Sequence, residues 1–180
     1  MTIEIREELY IPDITFCQEL WEMYDETFQA LNTATPCRQH CYEKEFLEAM
    51  QDSDFQKFLL WVDGKPAGIG LITNHLEKVP WINVPFFQKQ FSVLVSRRLL
   101  YYLMGIAVKS GFAKRSLGSK LLKETICSLP ENGAVAFDHS EKANRMIPIF
   151  AERVLPKSIE GSILDSQIYS IYQWDDRSGS

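Results

Sequence analysis

The feature that most constrains the fold is an uncharged run of ten residues, LLYYLMGIAV at 99–108, followed closely by a loop and a helical pattern. A run of this kind is typical of a strand that is buried on both faces or nearly so. The next stretch, GFAKRSLGSKLLKETI at 111–126, begins as a polar loop and continues as a helix. A buried strand that leads through a short loop into a helix predicts a sheet with helices packed against it.

The loop after this strand has the place and the charge of a phosphate-binding loop, but it has few glycines. Amides at a helix N-terminus bind anions, and glycine lets a phosphate come close to the backbone. Gly111 and Gly118 are the two glycines here, while Lys114, Arg115 and Lys120 add positive charge that favours an anion. The loop therefore indicates a site for a phosphorylated cofactor. A basic solvated turn that caps a core helix is the alternative.

The other patterns complete a mixed α/β plan. Two amphipathic helices follow the first strand, and Asp13 is a plausible N-cap for the first of them. Asp63-Gly64 is a hairpin signal between two further strands. A last helix is predicted to begin near 144. The remaining strand patterns lie at 2–7, 133–140 and 166–174. We predict one domain over 1–176, with a mixed central β-sheet flanked by helices, and a tail at 177–180.

Composition limits the classes of partner. The chain has 180 residues with a formal net charge of −5 and a pI near 5.3. This balance argues against nucleic acid as the main partner, because binding phosphates along a strand requires a basic face. No signal peptide is visible and no apolar run reaches about 18 residues, so we predict a cytoplasmic protein without a membrane span.

The four cysteines do not indicate a disulfide framework or a metal site. They stand at 17, 37, 41 and 127, too few and too scattered for a disulfide-rich fold. Cys37 and Cys41 flank Arg38, Gln39 and His40, but no second pair of ligands with matching spacing occurs elsewhere. We predict no metal and interpret this segment as the polar start of a helix with two ordinary thiols.

Two stretches resemble the GNAT superfamily of N-acetyltransferases. GIAVKSGFAKRSLGSKLL at 105–122 resembles its core signature, in which a strand ending in Val leads through a Gln/Arg-x-x-Gly-x-Gly/Ala loop into a helix. NRMIPIFAERVLP at 144–156 echoes a second signature that begins with Asn. The resemblance implies the GNAT fold, with acetyl-CoA or another acyl-CoA as cofactor and its pyrophosphate on the loop amides. It assigns the cofactor to Ile106, Ala107, Val108, Ala113, Lys114, Arg115, Ser116, Leu117, Gly118, Ser119 and Asn144.

The chain departs from the family pattern at three positions. With Gly118 on the final glycine of the loop, Ala113 stands at the Gln/Arg position and Ser116 at the first glycine. With Asn144 aligned, Ala151 stands where the family commonly has a Tyr that protonates the leaving thiolate. A thiolate whose conjugate thiol has a pKa of about 8.5 can leave near neutral pH with little help from a proton donor. The loss of this Tyr therefore weakens the prediction of acyl transfer without abolishing it.

Other side chains near the predicted cleft are candidates for catalysis. Tyr101 and Tyr102 begin the strand that, in the family, runs beside the acyl thioester. Asp138 and His139 end the neighbouring predicted strand. An amine that arrives as ammonium must lose a proton before it attacks, and a His with a pKa near about 6.5 can accept it. His139 is the preferred base; a surface or capping role is the alternative for a lone His.

Residues 75–99 form an insertion between two predicted strands, where the simplest members of the family have a short hairpin. Connections this long are uncommon in a compact domain unless they are functional or disordered, and the aromatic content here disfavours disorder. Trp81, Phe86 and Phe87 are the predicted substrate-binding residues of this segment. The alternative is that the insertion packs as a satellite core or a dimer surface.

Three functions remain open from the sequence. The favoured one is an N-acyltransferase that moves an acetyl or other acyl group from acyl-CoA to a small-molecule amine or a protein amino group. The second is a long-chain transferase that takes its acyl group from an acyl carrier protein, as in the N-acyl amino acid synthases, which share this fold. The third is a GNAT-like binding module without catalysis.

Overall fold

A five-stranded sheet forms the centre of the part of the chain that the computed structural model describes, residues 1–140, 152–153, 161–167 and 169–171. Its strands are β1 (Ile3–Glu8), β2 (Phe55–Val62), β3 (Lys65–Thr73), β4 (Leu100–Val108) and β5 (Ala134–Ala136). Neighbours in the sheet follow chain order; β1 to β4 are antiparallel and β5 runs parallel to β4. The predicted mixed central sheet is confirmed.

Helices pack on both faces of the sheet. They are α1 (Ile14–Phe28), α2 (Leu31–Ala34), α3 (Glu43–Met50), α4 (Val84–Gln90), α5 (Ser92–Ser96) and α6 (Leu117–Cys127). Tyr24 of α1, Phe46 of α3 and Phe87 of α4 belong to one buried cluster, which we call the α1 face. Leu121 and Leu122 of α6 belong to the other, the α6 face. The flanking helices predicted from the sequence are thus confirmed as two layers around the sheet.

Two local signals in the sequence form the predicted structures. The Asp13 carboxylate accepts hydrogen bonds from the amides of Thr15 at 2.9 Å and Phe16 at 3.1 Å, so it caps the start of α1. Asp63 and Gly64, which join β2 to β3, have φ values of 48° and 76°. Positive φ at both central residues is what a tight hairpin turn requires.

The sheet opens between β4 and β5. The two strands pair only where Leu100 to Tyr102 face Ala134 to Ala136. β4 continues to Val108, whereas β5 ends at Ala136. Beyond Tyr102, no described strand therefore pairs with this edge of β4. We call this gap the β4–β5 opening; backbone N–H and C=O groups along such an edge need another partner.

The insertion at 75–99 is mostly helical. It contains a 3₁₀ turn (Leu76–Lys78) in addition to α4 and α5. Lys78 forms ion pairs with Asp52 and, at 2.7 Å, with Asp54. Both carboxylates lie immediately before β2. Arg98 pairs with Glu77 at 2.9 Å. The Lys78 pairs connect the insertion to the segment before β2, and the Arg98–Glu77 pair connects the two ends of the insertion.

The C-terminal predictions lie partly outside the described residues. Asn144 and Ala151 are not among them. The segment at 166–174 is described at 166–167 and 169–171, and those residues are not in a strand, so the predicted last strand is wrong for them. Alternation of apolar residues predicted it, but strand formation also needs a neighbour in the sheet. Within the described ranges, no helix is both long and apolar enough to cross a membrane.

Candidate active site

One end of the β4–β5 opening is the predicted cofactor segment. Ile106 and Val108 pack against the α6 face, while Ala107 is fully buried on the α1 face. The chain leaves β4 into a short 3₁₀ helix (Ser110–Arg115), which contains Ala113, Lys114 and Arg115, and α6 begins immediately after Ser116. The N-terminus of α6 thus follows directly from the strand that borders the opening.

Ser116 adopts the backbone conformation of a glycine. Its φ of 56° lies in the left-handed region, and it stands where the resemblance aligns the first glycine of the loop. Its side chain makes no capping hydrogen bond to the first turn of α6. A Cβ at Gly118 would lie 3.8 Å from Val108 Cγ2, so this position is open enough for a ligand to come close. Together with Leu117 and Ser119, these residues form a helix N-terminus suited to an anion.

The side of this loop that faces α1 is acidic. A cavity of about 440 Å³ lies there, lined by Ser110, Gly111 and Phe112 and by three glutamates of α1, which are Glu19, Glu22 and Glu26. Lys109 pairs with Glu19 at 3.3 Å. Carboxylates repel phosphates, so the α6 amides are the favourable side of the loop for an anion.

A carboxylate with two donors stands at the other end of the opening. Asp138, two residues beyond β5, accepts a hydrogen bond from Trp81 Nε1 at 3.2 Å and another from the Tyr102 hydroxyl. The rings of Trp81 and Tyr102 meet edge to face at 6.4 Å, and Phe87 packs on Tyr102 at 6.3 Å. Burial, together with the charge of Asp138, raises the pKa of the Tyr102 phenol, so this hydroxyl stays protonated and donates.

The loop between α2 and α3, residues 35–42, closes over the same end. The Arg38 guanidinium lies over the Tyr42 ring at 3.9 Å and over the Trp81 ring at 5.1 Å, and it pairs with Glu45. The Gln39 side-chain oxygen accepts a hydrogen bond from the Ser140 amide at 3.1 Å. The 35–42 loop thus contacts both the insertion and the chain that follows β5.

The predicted polar helix start at 37–41 is wrong, because these residues form no helix and Gln39 and His40 are only 8% and 5% exposed. The sequence around these two residues has no apolar periodicity from which their burial could be predicted. A signal against a helix was nevertheless present, because the polar residues at 35–42 lack the apolar spacing of an amphipathic helix.

The predicted catalytic residues separate onto two faces. Tyr102 and Asp138 meet on the α1 face, together with Trp81. Tyr101 is buried in the cluster of the α6 face. The His139 ring lies 6.2 Å from that of Phe137, which packs against the same α6-face cluster. Adjacent residues in a strand point to opposite faces, which accounts for the separation of Tyr101 from Tyr102.

The aromatic residues of the insertion also separate. Phe87 is buried and contacts Tyr102, whereas Phe86 is exposed. Trp81 is partly buried and reaches the Asp138 carboxylate. Of the three predicted substrate-binding residues, Trp81 brings its Nε1 to the opening, whereas Phe87 packs against the Tyr102 ring.

Comparison with known proteins identifies the fold. No family model and no curated protein matches the chain. An aminoglycoside acetyltransferase from an uncultured soil metagenomic sample is 16% identical, with 94% of this chain and 97% of that chain covered and a TM-score of 0.56. A ribosomal-protein-alanine N-acetyltransferase from Brucella melitensis is 12% identical, with 96% and 100% covered and a TM-score of 0.53.

A third similar structure is an aminoglycoside N-acetyltransferase in complex with the bisubstrate analogue CoA-S-monomethyl-acetylneamine. It is 14% identical, with 93% of this chain and 100% of that chain covered and a TM-score of 0.51. At these identities the likeness establishes the fold alone. The chain has the GNAT fold, and the resemblance seen in the sequence is confirmed at that level.

Proposed function

We propose that this chain, which has the GNAT fold, is an N-acyltransferase that moves an acetyl or other acyl group from acyl-CoA to an amine. The observation that carries the proposal is the β4–β5 opening. It has a helix N-terminus suited to phosphates at one end and the Asp138 carboxylate, suited to an ammonium, at the other. A donor with a phosphorylated tail and a cationic acceptor can therefore enter from opposite ends.

The cofactor end fits acyl-CoA through backbone groups. The edge of β4 beyond Tyr102 can pair with an extended amide-containing chain in the manner of an added strand. The amides that follow Ser116 can donate hydrogen bonds to the pyrophosphate oxygens, and Gly118 leaves room for them. Lys114, Arg115 and Asn144 remain predictions from the resemblance. When bound, acyl-CoA supplies an activated carbonyl carbon as a thioester.

The acceptor end fits an amine. An ammonium can bind the Asp138 carboxylate, whose Tyr102 and Trp81 partners hold it in place. The similar structures are named as acetyltransferases of aminoglycosides and of a ribosomal protein, which supports an amine acceptor. A small-molecule amine is the acceptor that we propose, and a protein amino group is the alternative.

Location and partners follow from this proposal as predictions. An enzyme that uses acyl-CoA must lie in a compartment that contains it, and we propose the cytoplasm. An acyl carrier protein as donor and a homodimer through the insertion stay predictions without a specific contact in support.

Turnover tests the function directly. The purified chain is mixed with acetyl-CoA or a long-chain acyl-CoA and with polyamine, amino-sugar or amino-acid acceptors. Free thiol is followed by a colorimetric reagent, and the acylated product by mass spectrometry. We expect thiol release that depends on one class of amine, with an amide product in equal amount. Thiol release equal to a control without amine, for every pair, would contradict the proposal.

A further inference from the structure

The Trp81 indole has a cation over its face and an anion at its edge. The Arg38 guanidinium carbon lies 5.1 Å from the ring centroid, and Asp138 Oδ1 accepts a hydrogen bond from Nε1 at 3.2 Å. The Arg38 side chain is 25% exposed, and Asp138 is exposed. Two opposite charges that solvent can reach therefore contact one indole ring at the acceptor end of the β4–β5 opening.

Each of these two charges has an atom left for a ligand. Trp81 Nε1 and the Tyr102 hydroxyl both donate to Asp138 Oδ1, and no described residue donates to Oδ2. Arg38 Nε donates to a backbone carbonyl of its own loop at 3.1 Å, and Nη2 donates to the Glu45 carboxylate. Among the described residues, none accepts from Nη1. One carboxylate oxygen and one guanidinium nitrogen are thus available for binding.

Neighbouring side chains hold the guanidinium in place. It lies over the Tyr42 ring at 3.9 Å on one side and over Trp81 on the other. Its ion-pair partner Glu45 is itself fixed, because it accepts from the Tyr42 amide at 2.9 Å at the start of α3. A stacked guanidinium directs its N–H groups along defined lines, which suits recognition of a carboxylate. Little ordering of Arg38 is then needed when such a ligand binds.

Arg6 of β1 has similar contacts without a second charge on the ring. It pairs with Glu4 at 2.7 Å and lies over the Trp61 ring at 5.3 Å. Trp61 Nε1 has no hydrogen-bond partner among the described residues, and β1 lies at the opposite edge of the sheet from β5. Stacking and an ion pair alone therefore do not make a site. Arg38 differs because a carboxylate contacts the same indole at the opening.

We infer that the acceptor is an amino acid, whose ammonium binds Asp138 Oδ2 and whose carboxylate binds Arg38 Nη1 on either side of the Trp81 indole. This inference deepens the proposed function and rests on it. In the transfer, the amino nitrogen bonds to the thioester carbonyl carbon, and the C–S bond breaks with its electron pair on sulfur. Of the two protons that the nitrogen loses, one goes to sulfur and one to water. The product is an N-acyl amino acid.

Paired acceptors isolate the contribution of the carboxylate. Each amino acid of a panel is compared with its amide, which keeps the amine and the side chain but lacks the negative charge. Arg38→Gln should lower kcat/KM for the amino acid by about tenfold or more, because a hydrogen bond between charged groups is lost. For the amide, kcat/KM should stay within about twofold of wild type. An equal effect on both acceptors, or none on the amino acid, would overturn the inference.

The comparison between proteins removes the intrinsic difference between the two acceptors. The amine of an amide has a lower pKa than that of the amino acid, but this difference is the same for wild type and variant. Asp138→Asn should lower kcat/KM for amino acid and amide alike, since both have an ammonium. A loss confined to the amino acid in Asp138→Asn would contradict the assignment of the two charges.

Arg6→Gln is the matched control for Arg38→Gln. It removes an arginine with an ion pair and a tryptophan contact of the same kind, at the other edge of the sheet. We expect wild-type kinetics with both acceptors. A loss for the amino acid as large as that in Arg38→Gln would show an effect of net charge at a distance and would contradict a contact with Arg38.

Glu45→Gln keeps the inference testable if Arg38→Gln does not fold. Glutamine can still accept from the Tyr42 amide at the start of α3, but it no longer neutralises the guanidinium. The KM for the amino acid should then fall by about twofold or more, because Arg38 attracts its carboxylate more strongly. The KM for the amide should not change. An unchanged or higher KM for the amino acid would contradict the inference.

Failure of the proposed function has a different signature from failure of this inference. If the proposed function is wrong, wild type releases no thiol with any amino acid, amide, amino sugar or polyamine. If wild type acylates amines that lack a carboxylate but no amino acid, the proposed function stands and this inference alone is overturned. Acylation of an amino acid that Arg38→Gln weakens and its amide does not share is the result that we expect.

Discussion

The two ends of the β4–β5 opening are built in different ways. The cofactor end is one continuous segment, in which β4, a 3₁₀ helix and α6 follow one another from Leu100 to Cys127. The acceptor end is assembled from four separate segments, which are the 35–42 loop, the insertion, β4 and the chain after β5. The first end depends on local backbone geometry, and the second depends on contacts between side chains that are distant in sequence.

This difference indicates how each end responds to change. A substitution at the cofactor end should alter affinity for the thioester and leave the acceptor end intact. A substitution in the insertion should reach Asp138, because Phe87 packs on Tyr102 and Tyr102 donates to that carboxylate. The acceptor end can therefore vary through any of four segments, which suits a site that defines which amine binds.

The largest expected effect concerns the two neighbouring phenylalanines of the insertion. Phe87→Ala removes a buried ring and should lower the free energy of unfolding by about 3 kcal/mol or more. Phe86→Ala removes an exposed ring and should cost less than about 1 kcal/mol. Urea denaturation of both variants measures the difference. Equal losses would show that the insertion does not support Tyr102 as described.

The next effect in size concerns the carboxylate itself. Asp138→Asn keeps the shape of the side chain and removes its charge. We expect kcat/KM for the amine to fall by roughly tenfold to a hundredfold, because a hydrogen bond to a charged group contributes about 1.5–3 kcal/mol. CoA affinity should not change. Glu131→Gln, in the exposed turn before β5, is the control. A fall in CoA affinity with unchanged amine kinetics would reverse the assignment of the two ends.

The sequence predicts local backbone structure better than the contacts of the acceptor end, for a physical reason. Asp13, Asp63-Gly64 and the 99–126 segment act through bonds to near neighbours, so their patterns are visible in the chain. Gln39 and Ser140 are 101 residues apart and Trp81 and Asp138 are 57 apart, and no local pattern predicts such pairs.

The faces of the buried strand β4 were also not predictable from the sequence. The run at 99–108 is apolar on both faces, so it has no alternation that would assign Tyr101 to one face and Tyr102 to the other. The register shift near Gly105 further changes which residues share a face. The helices of the insertion were also not predicted, since their aromatic residues lack a clear helical period over such short lengths.

The most direct test of the central claim is a calorimetric titration of CoA into three proteins. These are wild type, Gly118→Asp at the start of α6 and Ser128→Asp, which adds the same charge just beyond the other end of that helix. The account predicts that wild type binds one CoA and that the Kd of Gly118→Asp is at least about tenfold higher. The Kd of Ser128→Asp should stay within about twofold of wild type. A folded Gly118→Asp variant with wild-type affinity, or no binding of CoA by wild type, would contradict it.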